Sequence, residues 1–183
     1  MAVFGGSFDP PHVGHVLAVT YVLSVYPIDG VLVVPVFQHA FGKELASFDD
    51  RLAMCRLAMA PIDHVEVSDV ERELGGESRT LYTIEALLAR RPEWDLKLVI
   101  GSDVLPDLPK WHRFDRIAEL APPIVIGRAG YPHPDAPLSV LPEVSSSAIR
   151  ASLGAGEASA VRPMLPTTVA EYISERHLYR TRG

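Results

Sequence analysis

The sequence predicts an α/β fold: an open parallel sheet with helices on both faces. Three observations carry this. Runs rich in Val and Ile alternate with helix-like runs along the chain, the order of a sheet built through right-handed crossovers. The segment "GVLVVPVF" (30–37) is apolar without alternation, as a strand covered on both sides must be. Residues suited to ligand contact, "GGSFDPPHVGH", "QHAFGKE", "GSDVLPDLPKW" and "VSSSAIR", each follow a strand-like run, and open parallel sheets bind ligands beyond the carboxyl ends of their strands.

Each element follows from local chemistry. "AVFGG" (2–6) is a short strand ending in a turn. "HVGHVLAVTYVLSVY" (12–26) is apolar on nearly every face and predicts a buried helix. "SFDDRLAMCRLAMAP" (47–61) is a helix that Ser47 caps, that Asp49 and Asp50 suit in its first turn, and that Pro61 stops. "HVEVSDV" (64–70) alternates as a strand. "LYTIEALLARRP" (81–92) is a helix with Arg90 and Arg91 at its end and Pro92 beyond. "DLKLVIGSD" (95–103) and "PPIVIGRAG" (122–130) are strands, with a helix at "FDRIAEL" (114–120) between them. "SSSAIRASL" (145–153) and "TTVAEYISERHLY" (167–179) are helices. The proline-rich "YPHPDAPLSVLPEV" (131–144) reads as a surface loop. No repeat or break divides the chain, so one domain over 1–183 is expected.

Bulk composition narrows the function. With 48% apolar and 22% charged residues, the 183-residue chain has the profile of a globular protein with a continuous core. A net charge of −6 argues against nucleic acid as a partner, yet leaves room for a small basic pocket for a phosphorylated ligand. Cys55 is the only cysteine, reads as a small buried hydrophobe, and forms no internal disulfide. There is no signal-peptide pattern and no stretch long enough to span a bilayer, so no membrane partner is expected and a cytoplasmic location is the default. Oligomeric state stays open, a homo-oligomer included.

The opening "GGSFDPPHVGH" has the parts of a phosphate site. Gly5 and Gly6 let a ligand approach the backbone. Pro10 and Pro11 suit the run into a helix, whose free N–H groups and dipole receive an anion. His12 and His15 share one helix face at that end, and Gly14, a poor helix former, implies that something needs its space. Alone, this pattern is equally a turn followed by cap residues. A metal pair is the weaker alternative, because Asp9 is the only close carboxylate. A second site changes the balance: "VSSSAIR" sets Ser145, Ser146 and Ser147 at a helix start, with Arg150 one turn in. Two anion-binding helix starts after two strands are hard to explain as capping.

Taken together, "GGSFDPPHVGH" and "SSSAIR" resemble the nucleotidyltransferase superfamily, in particular the bacterial nicotinate-mononucleotide adenylyltransferases, with their GGxFDPxHxGH and ISSTxIR motifs. "LYTIEALL", "LVIGSDVLPDLPKWHRFDRI", "VIGRAGY" and "LPTTVAEYISERHLY" resemble further family segments, so the likeness covers nearly the whole chain. It implies a Rossmann-like sheet of the nucleotidyltransferase type. It implies that Gly5, Gly6, Ser7 and Phe8 line the nucleotide site, and that His12 and His15 hold the ATP phosphates. Gly101 and Asp103 would meet the adenosine side, while Ser146, Ser147 and Arg150 bind the outer phosphates. Tyr82, Thr83 and Trp111 would contact the pyridine mononucleotide. The family's PPHK is replaced by "HAFGK", which makes Lys43 the equivalent cation in a divergent loop.

The reaction implied joins ATP and nicotinate mononucleotide into the adenine dinucleotide with release of pyrophosphate, with Mg²⁺ on the triphosphate and no metal-ligating residues in the chain. His12, His15, Lys43 and Arg150 would carry the catalysis. Free N–H groups around Tyr82 and Thr83 would receive the nicotinate carboxylate. A ligand-facing Arg150 would pack little and matter little to stability. Alternatives of the same class use nicotinamide mononucleotide or phosphopantetheine as acceptor, or transfer a cytidylyl group. The aminoacyl-tRNA synthetase core, whose HIGH signature resembles HVGH, lacks support in an acidic chain of this length. A catalytically silent nucleotide-binding regulator is the rival from a different class.

Overall fold

The computed structural model describes residues 1–38 and 45–180. Among the described residues, six parallel strands form one sheet: β1 (Ala2–Gly6), β2 (Val31–Pro35), β3 (Val65–Val67), β4 (Lys97–Gly101), β5 (Pro123–Arg128) and β6 (Ser139–Leu141), in the order β3-β2-β1-β4-β5-β6. The chain moves outward from β1 through β2 to β3, then crosses to the other side of β1 for β4. The carboxyl ends of β1 and β4 therefore flank a switch point, where such sheets open a crevice.

Eight α-helices are described: α1 (Val13–Val25), α2 (Phe48–Met59), α3 (Val70–Leu74), α4 (Thr80–Arg90), α5 (Phe114–Leu120), α6 (Ser146–Gly154), α7 (Ala158–Val161) and α8 (Thr167–Glu175). Strand side chains alternate between two cores. Phe4, Val31, Val33, Val99 and Ile126 pack with α1, α2, α6 and α8. Val3, Leu32, Val34, Leu98 and Ile100 pack with α3, α4 and α5 on the opposite face. The apolar run 31–35 is buried at every position because both its faces are covered. Ser47 caps α2 as expected, accepting from Asp50 N–H at 3.1 Å. Cys55 is fully buried, and burial pushes its thiol pKa up, away from nucleophilic use.

Four local expectations need correction. The proline-rich segment 131–144 is not wholly a loop, because Ser139–Leu141 forms β6 beside β5. "HVEVSDV" is a strand only over 65–67, and Val70 begins α3. The strand expected over 95–103 ends at Gly101, and residues 102–110 form a 3-10 helix that accommodates Pro106 and Pro109. Helix α1 is buried on one face only: Ala18, Val19 and Val22 are buried, whereas Leu17 and Val25 are exposed. Its outward Thr20 and Ser24 hydroxyls donate to Val16 O and Thr20 O within the helix, so an apolar sequence carries a solvent face without charges.

Candidate active site

The site grows from the carboxyl end of β1. Gly5 and Gly6 pair with Val34 and Pro35 of β2, and the chain then turns through Ser7–Pro11 into α1. Phe8 holds φ at 46°, a costly value for a bulky residue, with its ring wedged into the core. A Cβ on Gly6 would lie 3.2 Å from that ring, a tight contact, so glycine gives Phe8 room here. Phe8 was expected to line the nucleotide site. It is buried instead, and its ring supports His15 edge-on at 4.9 Å.

His12 is the N-cap of α1, with extended backbone. Its N–H donates to His15 Nδ1 at 3.0 Å, and the two imidazoles stack 3.8 Å apart. This fixes the tautomer: a neutral His15 with Nδ1 as acceptor carries its proton on Nε2 and has a donor to offer. Burial and the positive charge of Arg128 lower the His12 pKa to about 4, and burial, His12 and Arg128 hold His15 well below the usual range. Both rings are therefore neutral at pH 7. The space that Gly14 leaves is taken by His12: a Cβ there would sit 3.1 Å from the His12 ring.

The second helix start is α6. Ser145 caps it, accepting from Ala148 N–H at 3.2 Å. Ser146 Oγ donates to Pro10 O at 2.9 Å, and Arg150 Nη1 donates to Asp9 O at 2.6 Å. Arg150 Nη2 also donates to Ser147 Oγ at 3.4 Å. The two helix starts that the sequence separates by more than a hundred residues are thus joined directly. Arg150 is not a free ligand-facing side chain: it pairs with the Asp9 carboxylate at 3.4 Å and holds the loop before α1. The expectation that it packs little is corrected accordingly.

At the switch point a Cβ on Gly101 would collide with Asp103 Oδ1, so glycine there lets Asp103 fold back over the end of β4. Asp103 is ion-paired to Arg128 at 2.8 Å. Arg128, at the end of β5, also donates to Val144 O, and its own N–H is held by Ser102 Oγ at 2.9 Å. No role for Arg128 follows from the sequence motifs. A lone arginine closing an apolar strand at the sheet's ligand edge is the signal that marks it.

Arg51, also unassigned, is fully buried in α2. It donates to Ser7 O, Ala46 O and Phe37 O, which ties the loops after β1 and β2 together. Its place on the apolar stripe Arg51–Cys55–Ala58–Met59 is the sequence signal for this buried role.

Of the residues expected to meet the pyridine nucleotide, Tyr82 is exposed beside His112, at 5.7 Å between rings, and Trp111 is half-buried, edge-on to Phe114. Thr83 is buried, and its hydroxyl donates to Glu71 Oε1 at 2.8 Å, so its side chain faces the protein. The N–H groups of Tyr82 and Thr83 both donate to Arg79 O, which corrects the expectation that they are free. The amides that a helix start leaves without an intrahelical acceptor are those of Thr80 and Leu81, one step earlier. Lys43 and His39 lie outside the described residues.

Comparison with known proteins agrees with this layout. The cytidylyltransferase-like family profile matches residues 3–152. A protein from Anaeromyxobacter dehalogenans (strain 2CP-C), named a probable nicotinate-nucleotide adenylyltransferase, is 45% identical over 184 residues, covering 98% of this chain and 96% of its own. A protein of the same name from Myxococcus xanthus (strain DK1622) is 43% identical, covering 98% of this chain and 94% of its own. In fold, the chain is similar to Plasmodium falciparum nicotinic acid mononucleotide adenylyltransferase complexed with NaAD, with a TM-score of 0.84 at 20% identity over 97% of this chain and 96% of that one. Sequence likeness across nearly the full length, on the sheet that brings the two helix starts together, means that the chain belongs to the nicotinate-nucleotide adenylyltransferases of the cytidylyltransferase-like family.

Proposed function

We propose that the protein transfers the adenylyl group of ATP to nicotinate mononucleotide in NAD biosynthesis. A phosphate oxygen of the acceptor attacks the α-phosphorus of ATP. The bond from the α-phosphorus to the oxygen bridging to the β-phosphate breaks, and pyrophosphate leaves with that electron pair. The product is nicotinate adenine dinucleotide. The observation that supports this most directly is the joining of the His12–His15 helix start to the Ser146–Arg150 helix start beside the ends of β1 and β4.

A phosphomonoester has a second pKa of about 6, so the nucleophile is already anionic at neutral pH and needs no protein base. What remains is to align two anions that repel each other and to stabilise charge on the transferring and leaving phosphates. Neutral His15 supplies an oriented Nε2–H donor. Arg128 and Arg150 supply fixed positive charge at the two rims. Asp9 and Asp103, the carboxylates following β1 and β4, are already engaged by those arginines. Mg²⁺ is therefore proposed to arrive on the triphosphate, as part of the MgATP substrate, with the chain's own residues contacting the phosphates. ATP dependence and a buried lone thiol support a cytoplasmic setting.

For the acceptor, the α4 start offers amide donors and a positive dipole end, which suit the carboxylate of nicotinate better than the amide of nicotinamide. The test is pyrophosphate release with ATP and a panel of acceptors: nicotinate mononucleotide, nicotinamide mononucleotide and phosphopantetheine. Nicotinate mononucleotide is expected to lead by at least about tenfold in kcat/KM, since about 1.4 kcal/mol of differential binding is a factor of ten. Equal values for the two pyridine nucleotides would refute acid selectivity while leaving adenylyl transfer intact. No release with any acceptor would refute the transferase reading.

A further inference from the structure

Four segments far apart in sequence meet at one buried carboxylate. Asp9 is wholly inaccessible to solvent and lies between the left-handed turn at Phe8 and the start of α1. Its Oδ1 accepts from the Tyr179 hydroxyl at 2.8 Å and from Ala46 N–H at 3.2 Å. Its Oδ2 faces Arg150 Nη1 at 3.4 Å and is without a hydrogen-bond partner among the described residues. Arg150 Nη1 in turn bonds the carbonyl of the same aspartate. Tyr179 reaches this point because the chain reverses after α8, with His177 and Tyr179 at positive φ. Leu178 and Tyr179 pack against the first core, and burial and the Asp9 charge keep the phenol protonated as a donor.

The Tyr179 hydroxyl from the C-terminal segment, with the Ala46 N–H beside it, therefore holds one oxygen of Asp9 and leaves the other facing the arginine of the second helix start. We infer that Tyr179 and Asp9 are positioning residues for the phosphates of ATP: the C-terminal segment sets Asp9, and Asp9 sets Arg150. Neither is a catalytic residue, because neither is arranged to touch the reacting atoms. Packing alone does not explain the arrangement. A tyrosine there only to fill space would not need its hydroxyl on a buried charge, and a buried carboxylate with one oxygen ion-paired but lacking a hydrogen bond is costly unless the partner it restrains is worth holding. The geometry also explains why the aspartate directly precedes the histidine helix: one residue fixes the start of α1 and the guanidinium on α6.

The inference rests on the adenylyl-transfer reading, and its test separates the two. Tyr179→Phe keeps the ring and its packing and removes only the O–H bond. Steady-state kinetics should show KM for ATP raised roughly three- to tenfold, with KM for nicotinate mononucleotide unchanged. Direct titration of ATP in the absence of acceptor should show a matching loss of affinity. Asp9→Asn should lose more, because it also removes the charge facing Arg150. The decisive readout is a double-mutant cycle: in an Arg150→Ala background, Tyr179→Phe should change ATP affinity by less than about twofold, because its effect runs through Arg150. Full additivity of the two substitutions would overturn the inference, as would a Tyr179→Phe protein with lowered Tm and unchanged ATP affinity. If Asp9→Asn does not fold, the Tyr179→Phe cycle still decides. A wild-type chain that binds no ATP overturns the adenylyl-transfer reading, and this inference with it.

Discussion

Lowering the pH should destabilise this protein through His12 before most of its carboxylates titrate. In the folded chain the ring is buried beside Arg128, which lowers its pKa from 6.5 to about 4. The unfolded chain then binds more protons than the folded one between those two values. Stability is full above about pH 6.5 and is lost as pH falls through the window, down to about 4. The whole difference, from 6.5 to about 4, corresponds to about 3 kcal/mol, reached once the ring is protonated in both the folded and the unfolded chain. At pH 5 the unfolded ring is almost wholly protonated and the folded one only about a tenth, which gives a loss of about 2 kcal/mol. Against a total stability of about 5–15 kcal/mol, that is readily measured. His15 shifts in the same direction and adds to the loss. The assay is urea unfolding at pH 7.5 and pH 5.0, for wild type and His12→Gln, with the His12 ring signal followed by NMR. Wild type should lose roughly 2 kcal/mol more than the variant between the two pH values. Equal losses, or a ring that titrates near 6.5, would refute the buried, arginine-flanked neutral state on which the account of the site depends.

Three other perturbations follow. ATP binding at pH 7.5 should show a calorimetric enthalpy independent of the buffer's ionisation enthalpy, because His15 keeps Nδ1 as an acceptor and meets the triphosphate as a neutral Nε2–H donor; a buffer-dependent enthalpy would show that the rings take up protons on binding. Arg150→Ala should raise KM for ATP and also destabilise the fold by about 2 kcal/mol, or roughly 4–8 °C in Tm, since it leaves the Asp9 carboxylate buried without its cation; an unchanged Tm would contradict the bracing role. Gly101→Ala should raise KM for ATP at least about tenfold with near-normal stability, because the new methyl displaces a side-chain oxygen of Asp103 rather than backbone, and wild-type kinetics would show that the Asp103–Arg128 pair is irrelevant to ATP.

The longer elements are legible from sequence because their signals are local. A continuous β-branched run, or a helix marked by a serine cap, first-turn aspartates and a closing proline, carries its structure within a few residues, as in 31–35 and 47–59. The two helix starts proposed to hold the phosphates are legible for the same reason. β6 and α3 are not: three residues framed by prolines, or five beginning in "SDV", are too short to express a period, and pairing with β5 alone makes 139–141 a strand. The identity of the partners also belongs to the tertiary structure. Sequence places Asp9, Arg128, Arg150 and Tyr179 in four separate motifs with no indication of which meets which. The strand order β3-β2-β1-β4-β5-β6 and the reversal after α8 bring Tyr179 and Arg150 to Asp9, and Arg128 to Asp103. Those pairings decide that Arg150 braces the loop; the packing of α3 against α4 turns Thr83 to Glu71, and burial beside Arg128 keeps His12 neutral. A side chain's residue type sets which bonds it can make; its charge state and free valences depend on neighbours that the chain delivers only once the sheet is assembled.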